Sequence, residues 1–250
     1  MNMVNERVAK LADMRKKLAD IRSFFRIPDS GAQVKIIHVS DTHGKLPHIA
    51  NCLDGVELIV HSGDLMPNIT WGDRPVEEAY QAHWCMEKEA EFDHWREGRT
   101  VIFCAGNHDF IIPKWKGLID CTNKVVSYRG TRFYGFPYVP KLGNWNYGCN
   151  PAELRARFDP VAQIVEHDEV DMLVCHCPPW GVLDSVPKGH WFGEDAVDHI
   201  GNPALTFYLR HWKWKPDAIL CGHVHESHGV ARREGVFVSN AATTFRVLEV

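Results

Sequence analysis

The sequence predicts an α/β domain with an added N-terminal helix, on three observations. Short, nearly continuous apolar runs each end in polar residues. Helical stretches separate them, and two later segments carry hairpin signals.

Residues 1–27 place Val4, Val8, Leu11, Met14, Leu18, Ile21 and Phe25 on one helical stripe and carry a net charge of +4. The Pro28-Asp29-Ser30-Gly31 cluster ends that helix, so the expected division is residues 1–30 as helix and linker and 31–250 as one domain. The helix is expected to dock on the domain itself, with pairing to a second copy of the chain as the alternative. The apolar runs Val34–Ser40, Val56–Ser62, Thr100–Ala105, Asp171–Cys175 and Ala218–Cys221 read as strands buried on both faces. Residues 75–97, 151–167 and 195–212 read as helices between them. Segments 124–136 and 229–249 alternate around Arg129-Gly130 and Glu234-Gly235, which suggests hairpins.

With 250 residues, 45% of them hydrophobic, the chain can bury a substantial core. A net charge of -4 with mixed signs gives no reason to expect nucleic-acid or membrane-surface binding. The cysteines sit in or beside apolar runs (Cys52, Cys104, Cys175, Cys221) without zinc-knuckle spacing, so reduced structural thiols are expected. No signal peptide or membrane-length apolar stretch is visible, and a soluble, cytoplasmic protein is the expectation.

The chemistry lies in the residues just past the end of each strand. Asp41-Thr42-His43-Gly44 comes after the first, Gly63-Asp64 after the second and Gly106-Asn107-His108-Asp109 after the third. His176 comes after the fourth, and Gly222-His223-Val224-His225 after the fifth. In helix-covered sheets such strand ends gather at one edge, so three carboxylates, an amide and five imidazoles are expected on one rim. Imidazole and carboxylate without thiolate suit a pair of divalent metals, Mn first and Fe, Zn, Co or Ni as alternatives. The remaining histidines, including His38 and His61, read as surface or strand filling.

The ordered set SDTHG, SGD, GNHD, CH and GHVH resembles the signature of the metallophosphoesterase (calcineurin-like) superfamily over roughly residues 34–249. That resemblance implies a four-layer αββα sandwich of two mixed sheets flanked by helices. It also implies that Asp41, His43 and His225 hold one metal, that Asp64 bridges, and that Asn107, His176 and His223 hold the second. CHCPPWGVLD, RFYGFPYVP and GHVHESHG further resemble the small metallophosphoesterase-domain proteins of cyclic-nucleotide phosphodiesterase type. Some animal members of that group carry Gly in place of the first His of GHxH, whereas His223 is kept here. The GDxVDRG stretch of the Ser/Thr protein phosphatases, with its substrate-holding Arg, is absent.

A metal-bridging hydroxide is expected to attack the phosphoester, and the resemblance implies that His108, beside Asn107, faces the phosphate. His108 is read as the catalytic acid, with Asp109 either orienting its ring or serving a surface or turn role. The expected substrate is a small nucleotide-like phosphodiester, including cyclic nucleotides. A phosphomonoesterase or protein phosphatase is the alternative, and a non-catalytic scaffold the third reading. Aromatic loops, with Tyr138 and Trp145 in one and Trp180, His190 and Trp191 in another, are candidates to stack a base. The segment 66–99 is a candidate lid.

Overall fold

The computed structural model describes residues 34–168, 170–187 and 199–249. The expected N-terminal helix, and pairing through it, lies outside the described residues.

The first half runs β1 (Lys35–Val39), β2 (Leu58–His61), α1 (Arg74–Arg96), β3 (Thr100–Phe103), β4 (Leu118–Asp120), β5 (Val125–Tyr128), β6 (Thr131–Phe136), β7 (Val139–Pro140) and β8 (Gly148–Cys149). The second half runs α2 (Pro151–His167), β9 (Met172–Cys175), α3 (Pro203–His211), β10 (Ala218–Cys221), β11 (Gly229–Arg233), β12 (Val236–Asn240) and β13 (Phe245–Glu249).

Two large mixed sheets form, ordered β13-β1-β2-β3-β4 and β11-β12-β10-β9-β6-β5. In the first, β1 to β4 are parallel and β13 pairs antiparallel with β1. In the second, the inner four strands are parallel and the edge strands β11 and β5 are antiparallel.

Alternation along each strand distributes side chains among three apolar layers. Ile36, Leu58, Val60 and Ile102 of the first sheet meet Phe133, Met172, Val174 and Phe237 of the second. Ile37, Val39 and Ile59 face the other way, onto Trp84 and Phe92 of α1. Leu173 and Ile219 pack outward against Leu154 and Phe158 of α2 and Leu205 and Leu209 of α3. The result is the expected αββα sandwich, and burial on both faces explains the continuous apolar strands.

Local chemistry sets the boundaries. The Asn150 side chain accepts from Glu153 N while Glu153 bonds back, a capping box that starts α2. The third helix is shorter than the expected 195–212 span. It starts at Pro203 because Asn202 is extended and its side chain caps the Ala204 and Leu205 amides. Both hairpins form, around Arg129-Gly130 and Glu234-Gly235, each pair at positive φ. The final strand leaves its hairpin and crosses to the other sheet, because Leu248 is needed between the sheets.

All eight cysteines are free thiols, most of them buried, and burial pushes those of Cys104, Cys175 and Cys221 well up. Among the described residues no helix is long and apolar enough to cross a membrane.

One polar side chain ties the two sheets together. His38, fully buried on β1, places Nδ1 2.9 Å from Ser239 Oγ on β12 and Nε2 2.9 Å from Ser62 Oγ. Burial, with the Arg246 charge adding to it, lowers its pKa from 6.5 to about 3, so the folded ring is neutral. The unfolded chain takes up a proton as pH falls below 6.5, so this histidine draws stability down between 6.5 and about 3. The loss is ~2 kcal/mol by about pH 5. Urea unfolding of the metal-free protein at about pH 7 and about pH 5 checks this. A His38→Gln variant, weaker at neutral pH, should lose less than wild type on acidification; equal losses would exclude His38 as a source.

Candidate active site

The two sheets deliver their strand ends to one face, so the motifs converge from both rather than along one rim. The turn after β1 is laced to the one after β2: Asp41 N donates to Gly63 O (2.9 Å), His43 N to Asp64 O (3.0 Å) and Gly44 N to Leu65 O (2.8 Å). From the second sheet, His223 N donates to Asp41 Oδ2 at 2.9 Å. Asp41, His43, Asp64 and His223 all have positive φ, between 44° and 69°. Non-glycine residues rarely adopt that conformation, and it clusters where backbone strain serves a site.

Asp64 stands at the centre. Its Oδ1 accepts from His108 N at 2.8 Å, which turns Oδ2 toward the histidines. That oxygen lies 3.3 Å from His176 Nε2, 3.9 Å from His43 Nε2 and 4.0 Å from His108 Nε2. On one side His225 Nε2 lies 3.2 Å from Asp41 Oδ1. On the other, Asn107 Oδ1 lies 3.1 Å from His176 Nε2, and the His176 and His223 rings are 5.1 Å apart. Donor atoms of Asp41, His43 and His225, and of Asp41, Asp64 and His176, fall within 4.8 Å of one another.

These donors fit divalent cations. His176 Nδ1 lies 2.9 Å from Ser62 O, which fixes Nδ1–H as donor and aims Nε2 at the carboxylates. His223 Nε2 is buried without a hydrogen-bond partner, a cost that a cation in that place would remove. Burial pushes the Asp41 carboxyl up, but the His225 hydrogen bond and the His176 charge outweigh it and hold it at about 2. Burial likewise opposes ionisation of Asp64, and His176 and His108 hold it well below the usual range. Burial lowers His176, yet Asp64 raises it to about 9, so a proton there balances the carboxylates and a cation competes with it. His223 is driven down to about 3 by burial and by His176, leaving a free lone pair.

The family model for calcineurin-like phosphoesterases matches residues 34–227. The chain belongs to that family.

This calcineurin-like phosphoesterase is 26% identical over 239 residues to the UPF0046 protein K07C11.7 of Caenorhabditis elegans, covering 87% of this chain and 70% of that one. It is 33% identical over 105 residues to human metallophosphoesterase domain-containing protein 1, covering 42% of this chain and 28% of that protein. A solved structure of a conserved uncharacterized protein (predicted phosphoesterase) from Streptococcus pneumoniae aligns over 85% of this chain and 74% of its own. Its TM-score is 0.34 and its identity 12%. Family membership brings divalent cations and phosphoester hydrolysis as the general chemistry.

All seven expected ligand positions of the phosphoesterase, and His108, are brought together. Three other expectations are corrected. Asp109 does not hold the His108 ring; it is buried, and its carboxylate accepts from Gly106 N, Asp64 N and Met66 N, each at 2.8 Å. It therefore fastens the second and third motifs together, while burial and the Asp64 charge raise it to about 7. Tyr138 is not at the cavity. Its ring lies under the Arg157 guanidinium (4.5 Å) and beside Phe136, drawn toward α2. Trp180 rests on His199, also away from the cavity. Trp145 does line it, its ring 4.0 Å from that of His108. His190 and Trp191 lie outside the described residues.

The partner of His108 was not legible in the sequence. His108 Nδ1 lies 2.8 Å from Asn68 Oδ1, while Asn68 Nδ2 donates to Glu77 Oε2 and to His108 O. Those acceptors decide which way the amide points, so Nδ1 of His108 carries its proton and Nε2 faces the cavity. Glu77 and Gln81, successive turns of α1, are both fully buried, and Gln81 Nε2 also donates to His108 O at 2.8 Å. Asn68 four residues past Asp64 was the available signal. Glu77 gave none, because acidic residues in a first helical turn ordinarily face water.

Proposed function

We propose that the chain is a phosphodiesterase acting on a small, nucleotide-like diester, with two Mn2+ ions as cofactor. One cation would be held by Asp41, His43 and His225 and the other by Asn107, His176 and His223, with Asp64 shared. Such a pair supplies a nucleophilic hydroxide at neutral pH and neutralises charge on the phosphoryl oxygens. Imidazole and carboxylate donors without thiolate suit Mn2+, with Fe, Zn, Co or Ni as alternatives.

The protein's own groups do the rest. Asn107 and His108 turn toward the substrate phosphate. To act as the acid, His108 must take up a second proton on Nε2, against the burial that lowers its pKa. That Nε2 proton passes to the leaving oxygen while Asn68 holds Nδ1–H and keeps the ring in register. The Trp145 ring covers His108 and shields that transfer from water.

The charge of the cavity wall carries the diester reading. The cavity measures about 700 Å³, and among the described residues lining it none is Lys or Arg; its fixed acids are Asp64 and Glu226. A phosphomonoester carries close to two negative charges near neutrality and a diester one. The cations serve either ester, but the described wall adds no side-chain cation for the second charge, which supports the diester. Bis(4-nitrophenyl) phosphate and 4-nitrophenyl phosphate, assayed with added Mn2+, test the reading. Higher kcat/KM on the diester, abolished by chelator and restored by Mn2+, is expected. Preference for the monoester would point to a phosphomonoesterase or protein phosphatase. Fewer than about one metal per chain with no turnover would point to a scaffold on this fold.

A further inference from the structure

The wall facing the candidate ligands is apolar: Trp71, Leu142, Trp145, Val186 and Ile200. Trp71 is 82% exposed, so core packing does not explain it. Its loop is nonetheless held. The buried Glu77 carboxylate accepts from Thr70 N (2.6 Å) and Thr70 Oγ1 (2.5 Å). Gly72, at φ 85°, lies so close to the neighbouring loop that an added Cβ would stand 2.7 Å from Asn144 O.

That neighbouring loop carries Trp145 and is fastened to the turn bearing His108. Asn146 N donates to Asn107 O (3.0 Å), Asn146 Nδ2 to Asp109 O (2.7 Å), and Arg74 Nη2 to Asn146 Oδ1 (2.6 Å). The Trp145 ring therefore sits against His108, and the Trp71 ring stands 6.2 Å from it at 50°. Two indoles thus line the cavity side by side, Trp145 against His108 and Trp71 next to Trp145.

We propose that Trp71 and Trp145 form a subsite for a planar, uncharged ring on the leaving-group side, so that the substrate is a single-phosphate ester of a ring-bearing alcohol. The orientation rests on the reading of His108 given above. An indole face takes a flat ring by offset or edge-on contact. None of the described lining residues is Lys or Arg, so none of them rewards a second phosphate. Stacking of one base on an aromatic side chain is worth about 10- to 100-fold in affinity.

Calorimetry on the Mn2+-loaded protein tests this with three probes: adenosine 5′-monophosphate, ribose 5-phosphate and n-hexyl phosphate. The ring-bearing probe should bind about 10-fold or more tightly than the sugar phosphate, and Trp71→Ala should collapse that ratio while Trp71→Phe keeps most of it. Equal affinities in wild type, a ratio untouched by Trp71→Ala, or hexyl phosphate binding as tightly as the nucleotide would overturn the proposal. Because Trp71 is so exposed, its replacement leaves the core intact. If the ratio holds but no diester is hydrolysed, the subsite stands and the diester reading fails.

Discussion

Replacing His108 by Ala should leave both cations bound and lower kcat on a diester by about 10²–10⁴-fold. The ring's Nε2 falls in one donor cluster with His43 and Asp64, so bound metal is measured beside turnover. The ring's other nitrogen, held by a side chain, is what supports a role in the reaction. The Nε2 stands 4.0 Å from Asp64 Oδ2, whereas His176 reaches the same oxygen at 3.3 Å with its other nitrogen on a backbone carbonyl. The His108 Nδ1 instead meets the side chain of Asn68, on the loop ahead of α1. The leaving group separates proton delivery from general disruption. A 4-nitrophenolate departs without a proton, so its ester should suffer least, and an alkyl or nucleoside leaving group most. Asn68→Ala should show the same order with a smaller loss, about 10-fold, since the ring is kept but no longer oriented. Equal losses across leaving groups, or loss of bound metal, would remove His108 from this role.

The parts legible in the sequence share a physical cause. Each ligand turn comes after a strand that is buried on both faces, and such strands are short, apolar and sharply bounded. The left-handed residues His43 and Asp64 stand beside Gly44 and Gly63, which mark tight turns even in a single sequence. The hidden parts depend on where side chains go once the chain is folded. Asp109 beside His108 suggested an acid–imidazole pair, but at the end of β3 its carboxylate turns inward to three backbone amides. Tyr138 looked equivalent to Trp145, yet the first is drawn under Arg157 on α2 and the second is held by the Asn146 bonds. Division of the ligands between two sheets could not be read from strand order, because either arrangement brings carboxyl ends together. The long crossing of β13 back to β1 is likewise a nonlocal pairing with no local signature.

That division makes Gly222 a sensitive position where the halves meet, and Gly222→Ala should cost about 10- to 100-fold in metal affinity. Gly222 directly follows β10 of the second sheet, and its N donates to His176 O at 2.9 Å. A Cβ added there would overlap Ser40 Oγ and Asp41 Oδ2 and stand 2.7 Å from Ser40 Cβ, at the end of β1 in the first sheet. None of these atoms can retreat freely. Ser40 is fully buried, and Asp41 is tied to His223 N and His225. Relief therefore requires the two strand ends to separate, which moves Asp41 and His225 away from Asp64 and His176. Overpacking of this kind also destabilises, by about 1–3 kcal/mol, so lost affinity alone could reflect a weakened fold. Phe158→Ala supplies the contrast. Phe158 is fully buried between α2 and the outer face of the second sheet, and its truncation should cost about 3–5 kcal/mol. It should nevertheless leave Mn2+ affinity within a few-fold of wild type, because that layer lies on the outer face of the sheet and contains none of the ligands themselves. Urea unfolding of the metal-free variants, paired with Mn2+ titration of the folded ones, separates the two effects. If Phe158→Ala loses as much metal affinity as Gly222→Ala, the site depends on overall stability rather than on the contact between the sheets.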